Sequence, residues 1–116
     1  MRPLDNERAK EFRSFLLRRF EDTISLVLGE WVEKALFECM EKNTGLKRDE
    51  LIIQIDVLNG FLKRILGRSA LVLEGMIAKQ IYRELGLDTP PKDFEAAIEH
   101  AKQAYMSSAP NLLVSR

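Results

Sequence analysis

Glu74 is the residue whose type and position most invite chemistry. At 100° per residue, Ala70, Ile77, Ala78, Ile81 and Leu85 fall on one apolar arc of a helix, and Glu74 sits inside that arc. A carboxylate there is costly unless it meets a cation or several hydrogen-bond donors. Two chemistries follow. Paired, Glu74 is a buried structural acid that holds helices in register; Arg64, Arg68, Arg13 and Arg19 are its candidate partners, with Tyr105 as a neutral donor. Unpaired beside a cavity, it is an acid of raised pKa suited to catalysis or ligand binding. The structural anchor is the expected reading. Gly75 beside it lowers helix propensity by about 1 kcal/mol relative to alanine, which points to a second backbone passing close by.

Other reactive residues are sparse. Cys39, the one cysteine, falls on an apolar helix stripe and reads as an inert buried thiol. His100, the one histidine, points away from the stripe of its helix and reads as surface. There is no paired Cys or His metal spacing, no Gly-rich phosphate loop and no nucleophile elbow. The Gly60 to Gly67 spacing follows no strand, so it is not a dinucleotide fingerprint. The sequence therefore predicts no catalytic residue, no metal and no cofactor, and a protein that is not an enzyme.

The elements that must position these residues are helices. Asp5 or Asn6 caps the first, with Phe12, Leu16 and Phe20 inward. Asp22-Thr23 caps a second helix, or the first continues into it with a kink. That helix runs from about Ile24 to Lys42, with Ile24, Leu28, Trp31, Val32, Ala35, Leu36 and Cys39 as its inner stripe and Leu26, Phe37 and Met40 on the other side. Residues 47–55 read as a short helix or turn, although Leu51, Ile53, Ile55 and Val57 also alternate as a strand would. Asp56 then caps a helix with Leu58, Phe61, Leu62, Ile65 and Leu66 on one face; Gly67 turns the chain, and Ser69 caps the long helix that ends at Gly86-Leu87. Thr89 with Pro90 at the first helical position starts the last helix, whose stripe is Phe94, Ile98, Ala101 and Tyr105. The expected fold is all-α, a small bundle of four main helices with one short extra helix or turn.

The chain of 116 residues fits a single helical domain, with residues 107–116 as a flexible or partner-contacting tail. Eighteen basic and eighteen acidic side chains give zero net charge, so no global field draws in nucleic acid or an anionic membrane. Charge is nonetheless uneven: residues 20–42 are acidic and residues 60–83 basic. One cysteine allows no intrachain disulfide and points to a reducing compartment. No apolar run approaches the roughly 18 residues of a membrane span, and the N-terminus is charged where a signal peptide is apolar. A soluble, cytoplasmic protein is expected.

Apolar residues exceed what one small core needs. Leu26, Phe37, Met40, Val72, Met76, Leu112 and Leu113 form the candidate interface of a protein–protein interaction or signalling output module that pairs with itself as a homodimer. One alternative is nucleic-acid binding through Arg8, Arg13, Arg18, Lys63, Arg64 and Arg68, disfavoured by the mixed signs around them. The other is a small-ligand site around Glu74.

Phe61-Leu62-Lys63-Arg64-Ile65-Leu66-Gly67-Arg68-Ser69-Ala70, then Val72-Leu73-Glu74, Ile81-Tyr82 and Leu85-Gly86-Leu87, resemble an archaeal helical family, the Nitrosopumilus output domain. Its pattern is Phe, then Ile-Phe-Gly-x-Gly-Ala, Leu-Glu, Leu-Tyr and Leu-Gly-Leu. Gly29, Ala35-Leu36-Phe37 and Thr44-Gly45-Leu46 resemble its first half, so the likeness spans about residues 24–105. Leu66 and Ser69 depart from its usual Phe and Gly. The resemblance implies an intracellular helical module and no particular reaction.

Overall fold

Phe12, Leu16, Phe20 and Ile24 recur every four residues, and each is at most 2% exposed. They form the inner ridge of α1 (Pro3–Leu28), the longest helix of a computed structural model that describes residues 3–107. At 1.5 Å per residue α1 is about 39 Å long, close to the 37 Å long axis of the molecule. Of the two readings at Asp22-Thr23, a new cap or a continuing helix, the helix continues. Thr23 is buried inside the helix, and the ridge continues through it to Ile24.

The chain breaks at Gly29 instead. Its φ of 94° and ψ of 156° belong to a region that essentially only glycine occupies. α2 (Glu30–Thr44) starts afresh from there, so a 100° projection carried across Gly29 puts the wrong side chains inside. Phe37 and Met40 are fully buried, not surface residues as expected. Trp31, placed in the inner stripe by sequence, is 89% exposed, and Val32 and Ala35 are also outside.

α3 (Arg48–Leu51) is a single turn and not a strand; the Glu50 carboxylate caps it by accepting from Lys47 N at 2.9 Å. α4 (Ile55–Leu66), α5 (Ser69–Leu85) and α6 (Phe94–Ser107) follow. The bundle is all-α among the described residues, with five helices of twelve or more residues where four were expected. α1 packs on α2, α3, α5 and α6, while α5 also packs on α4, so the α1–α5 pair touches every other helix. Phe20 meets Phe94 edge-on at 5.7 Å, Phe12 lies 5.4 Å from Tyr105, and Arg8 Nη1 donates to Met106 O at 2.8 Å.

The glycine stops fall where the sequence puts them. Gly86 is left-handed (φ 69°), and Leu87 N donates to Tyr82 O at 2.8 Å, the six-to-one bond that closes a helix end. The starts differ. α4 begins one residue before Asp56, and neither Asp56 nor Ser69 supplies a side-chain cap.

An ion cluster fixes α2 and α3 on α1. Arg48 Nη1 donates to Glu33 Oε2 and to Glu21 Oε2, both at 2.7 Å, and its guanidinium carbon lies 4.3 Å from the centre of the Phe37 ring. Burial pulls the guanidinium pKa down, but the bonds and charges of Glu21 and Glu33 outweigh it, and the net shift is upward. Glu33, 8% exposed, is thus the acid that ties helices together, the role sequence reasoning gave to Glu74.

Two outcomes are expected from urea unfolding. Arg48→Ala leaves Glu33 buried without its partner and should cost about 2 kcal/mol, whereas joint Arg48→Met and Glu33→Leu replacement should retain most of the stability. A loss no larger than that of exposed Lys42→Ala would show the cluster to be dispensable. Gly29→Ala should cost about 1–2 kcal/mol through backbone strain alone, because no atom lies within 4 Å of the added methyl.

Candidate functional site

α5 buries Ala70, Leu73, Ile77, Ala78, Ile81 and Tyr82, and the same face carries Glu74, only 3% exposed. The arc read from sequence is therefore correct, and the acid is inside it. Its expected partners are elsewhere. Arg19 binds Glu84 at 2.7 Å and Asp22 at 3.0 Å. Arg13 lines a groove with Asp49 and Ile52, Arg64 and Arg68 are exposed, and the Tyr105 hydroxyl donates to Glu11 at 3.2 Å. Glu74 Oε2 is fully buried with no hydrogen-bond partner among the described residues. The reading of Glu74 as an ion-paired anchor is overturned: among the described residues its Oε2 has no partner, and its side chain lines a cavity beside the connection to α6.

Burial raises the Glu74 pKa above the ordinary carboxylate value; the positive charge of Lys63 opposes the shift, and Glu95 and Asp93 add to it. The side chain lines a cavity of about 270 Å³. Leu71, Gly75, Ala78 and Lys79 of α5 complete one wall, and Thr89, Pro90, Pro91, Lys92 and Phe94 form the other. No backbone passes close to Gly75, against expectation: a Cβ there would meet nothing within 4 Å.

The second wall exists because α6 starts late. Pro91 disfavours the helical conformation at Pro90, so the expected start at Thr89-Pro90 fails. Asp93 becomes the cap, with its Oδ2 accepting from Ala96 N at 3.0 Å. Residues 87–93 remain non-helical and run past Glu74.

A second concavity lies on the outer face of α2. Trp31, Val32, Ala35, Leu36 and Cys39 form it with Ile65 and Leu66 of α4, around about 500 Å³ of almost wholly apolar space. Of the candidate interface residues, Leu26, Val72 and Met76 are exposed, Phe37 and Met40 are core, and Leu112 and Leu113 lie outside the described residues, as does nearly all of the expected tail. Sequence reasoning missed Trp31 for this surface; the signal was Gly29, read only as part of a family pattern.

The nitrogen and sulfur groups are engaged locally. Asn43 Nδ2 donates to Cys39 O at 2.7 Å and lies 3.4 Å from its Sγ. The Tyr82 hydroxyl donates to Ala97 O at 3.0 Å, so the His100 Nδ1 at 2.9 Å must be the donor in their contact. Arg8, Arg13 and Arg18 form no single basic stripe. Arg8 is engaged by Met106 O, Arg13 shares its groove with Asp49, and Arg18 shares another with Glu11 and Glu84.

Glu74 holds a proton in the folded state over a pH range where the unfolded chain has released it. Its contribution to stability is complete below the ordinary carboxylate value and is lost as pH rises through the folded value. Glu74→Gln should therefore melt higher than the parent near pH 7.5, with the difference shrinking towards about pH 4. A variant that melts lower at both would restore Glu74 as an anchor.

A scan against protein-family models, a search of curated proteins and a search of solved structures each return no match.

Proposed function

We propose that this protein is a non-enzymatic helical interaction module that associates with a second copy of itself through the α2–α4 groove. The observation that carries this reading is Trp31: the one tryptophan of the chain is 89% exposed beside an apolar hollow. A large aromatic at the edge of such a hollow is the usual anatomy of a binding hot spot. α2 has α1 as its main neighbour, which leaves its outer face free.

Charge favours a second copy as the occupant. α2 is net acidic, with Glu30, Glu33, Glu38 and Glu41 against Lys34 and Lys42, while α4 and the corner after it carry Lys63, Arg64 and Arg68. In a two-fold pair each acidic edge faces the partner's basic edge, so one surface complements itself. The engaged states of Cys39 and His100 agree with a role other than catalysis. Among the described residues no helix is long and apolar enough to cross a membrane. With a single free thiol, a reducing compartment such as the cytoplasm suits the chain, and a signalling output role is compatible with such a module.

Sedimentation across micromolar concentrations should show a monomer–dimer equilibrium, and the emission of Trp31 should shift to the blue as concentration rises. Trp31→Glu should remain monomeric with an unchanged helical spectrum. A parent protein that stays monomeric at high micromolar concentration would end the proposal.

A further inference from the structure

We infer that the cavity beside Glu74 is a binding site for a small primary amine whose ammonium group meets the buried carboxylate and whose apolar stem lies along the proline-lined wall. This site shares no lining residue with the α2–α4 groove, so the inference stands or falls independently of self-association.

The carboxylate sets the polarity of the ligand. Glu74 is 97% removed from solvent, its Oε2 accepts no hydrogen bond, and its side chain is part of the cavity lining. An acceptor left in that state retains its full desolvation cost, which an N–H donor from a ligand would relieve. Glu95 and Asp93 both make the potential at this carboxylate more negative, and only Lys63 acts the other way. At the carboxylate itself an anionic head would meet like charge and an ammonium its counter-ion, against the opposing charge of Lys79 and Lys92 elsewhere in the lining.

The walls set the body of the ligand. Leu71, Pro90, Pro91 and Phe94 offer carbon surface, with the Thr89 hydroxyl the one neutral polar side chain in the lining. At about 270 Å³ the space lies just below the usual range of drug-sized ligand sites, which suits a monoamine and excludes a nucleotide. Lys79 and Lys92 border the opening and repel a second positive charge, so diamines are disfavoured. Gly75 fits this picture. Packing does not demand a glycine there, since a side chain would meet nothing within 4 Å, but any side chain larger than a methyl would occupy the cavity.

Titration of the full chain with phenethylamine, followed by amide NMR shifts and calorimetry, tests the assignment. Saturable binding is expected, with shifts centred on the amides of Leu71, Gly75, Thr89, Lys92 and Phe94. Phenylpropionate, the same stem with an anionic head, should not bind, and cadaverine, a dication, should bind more weakly. Glu74→Gln should weaken phenethylamine by about tenfold or more, the loss of one charge-assisted bond. Gly75→Leu should abolish binding while leaving the melting temperature equal or higher, which separates a filled cavity from a damaged fold. The inference is overturned by non-saturable shifts, by equal binding of phenylpropionate, or by parental affinity in both variants. Tighter binding of a lysine-containing peptide than of the free amine would also overturn it, because the site would then belong to a protein partner.

Discussion

The backbone at Gly29 decides which side of α2 becomes core. A residue held at φ 94° cannot carry the helix of α1 onward, so α2 begins with its own phase. From that phase come the burial of Leu36, Phe37 and Met40, the delivery of Glu33 to Arg48, and the exposure of Trp31 and Val32. A smooth join between the two helices would have sent tryptophan inward and left Glu33 in water. The hydrophobic hollow on α2 and the ionic lock beneath it are two results of one backbone angle.

Two glutamates are buried, and their surroundings give them opposite characters. Glu33 has a guanidinium at 2.7 Å, shared with Glu21 and resting on an aromatic ring. It remains a charged partner in a satisfied cluster. Glu74 has desolvation without a bonded partner for its Oε2, and Glu95 and Asp93 add to that burden while Lys63 opposes it. Low dielectric strengthens a satisfied contact and penalises an unsatisfied one, so similar burial stabilises the first and burdens the second. A burden of this kind is common where a protein keeps a group ready for something absent.

Much of the fold was legible because it depends on local pattern. The ridge Phe12, Leu16, Phe20, Ile24 and the arc of α5 needed only the helical period, and the stops at Gly45 and Gly86 needed only the left-handed tolerance of glycine. The acid at position 74 was placed inside correctly for the same reason. Its surroundings were not legible. Which cation reaches a carboxylate depends on how helices rotate against one another: Arg19 is taken by Glu84 and Asp22, Arg13 lines another groove, and Arg64 and Arg68 are exposed. Thr89 with Pro90 at the first helical position predicts a helix start, but Pro91 denies that conformation to Pro90. The same local rule that delayed α6 built the wall of the cavity, so missing one meant missing the other. Trp31 was misplaced by assuming that periodicity survives a glycine.

Phe20 packs on Phe94, and part of the cover of α1 comes from α5 and α6, late in the chain, beside what the adjacent α2 supplies. During synthesis the first helix therefore leaves the ribosome long before those two later surfaces. Forty or more residues must be added before α5 begins to appear, and the closing contacts carry the loop entropy of that wait. A nascent chain in this condition displays a row of phenylalanine and leucine to its surroundings. Its yield in the cell is then governed by how well that row is shielded until translation nears its end.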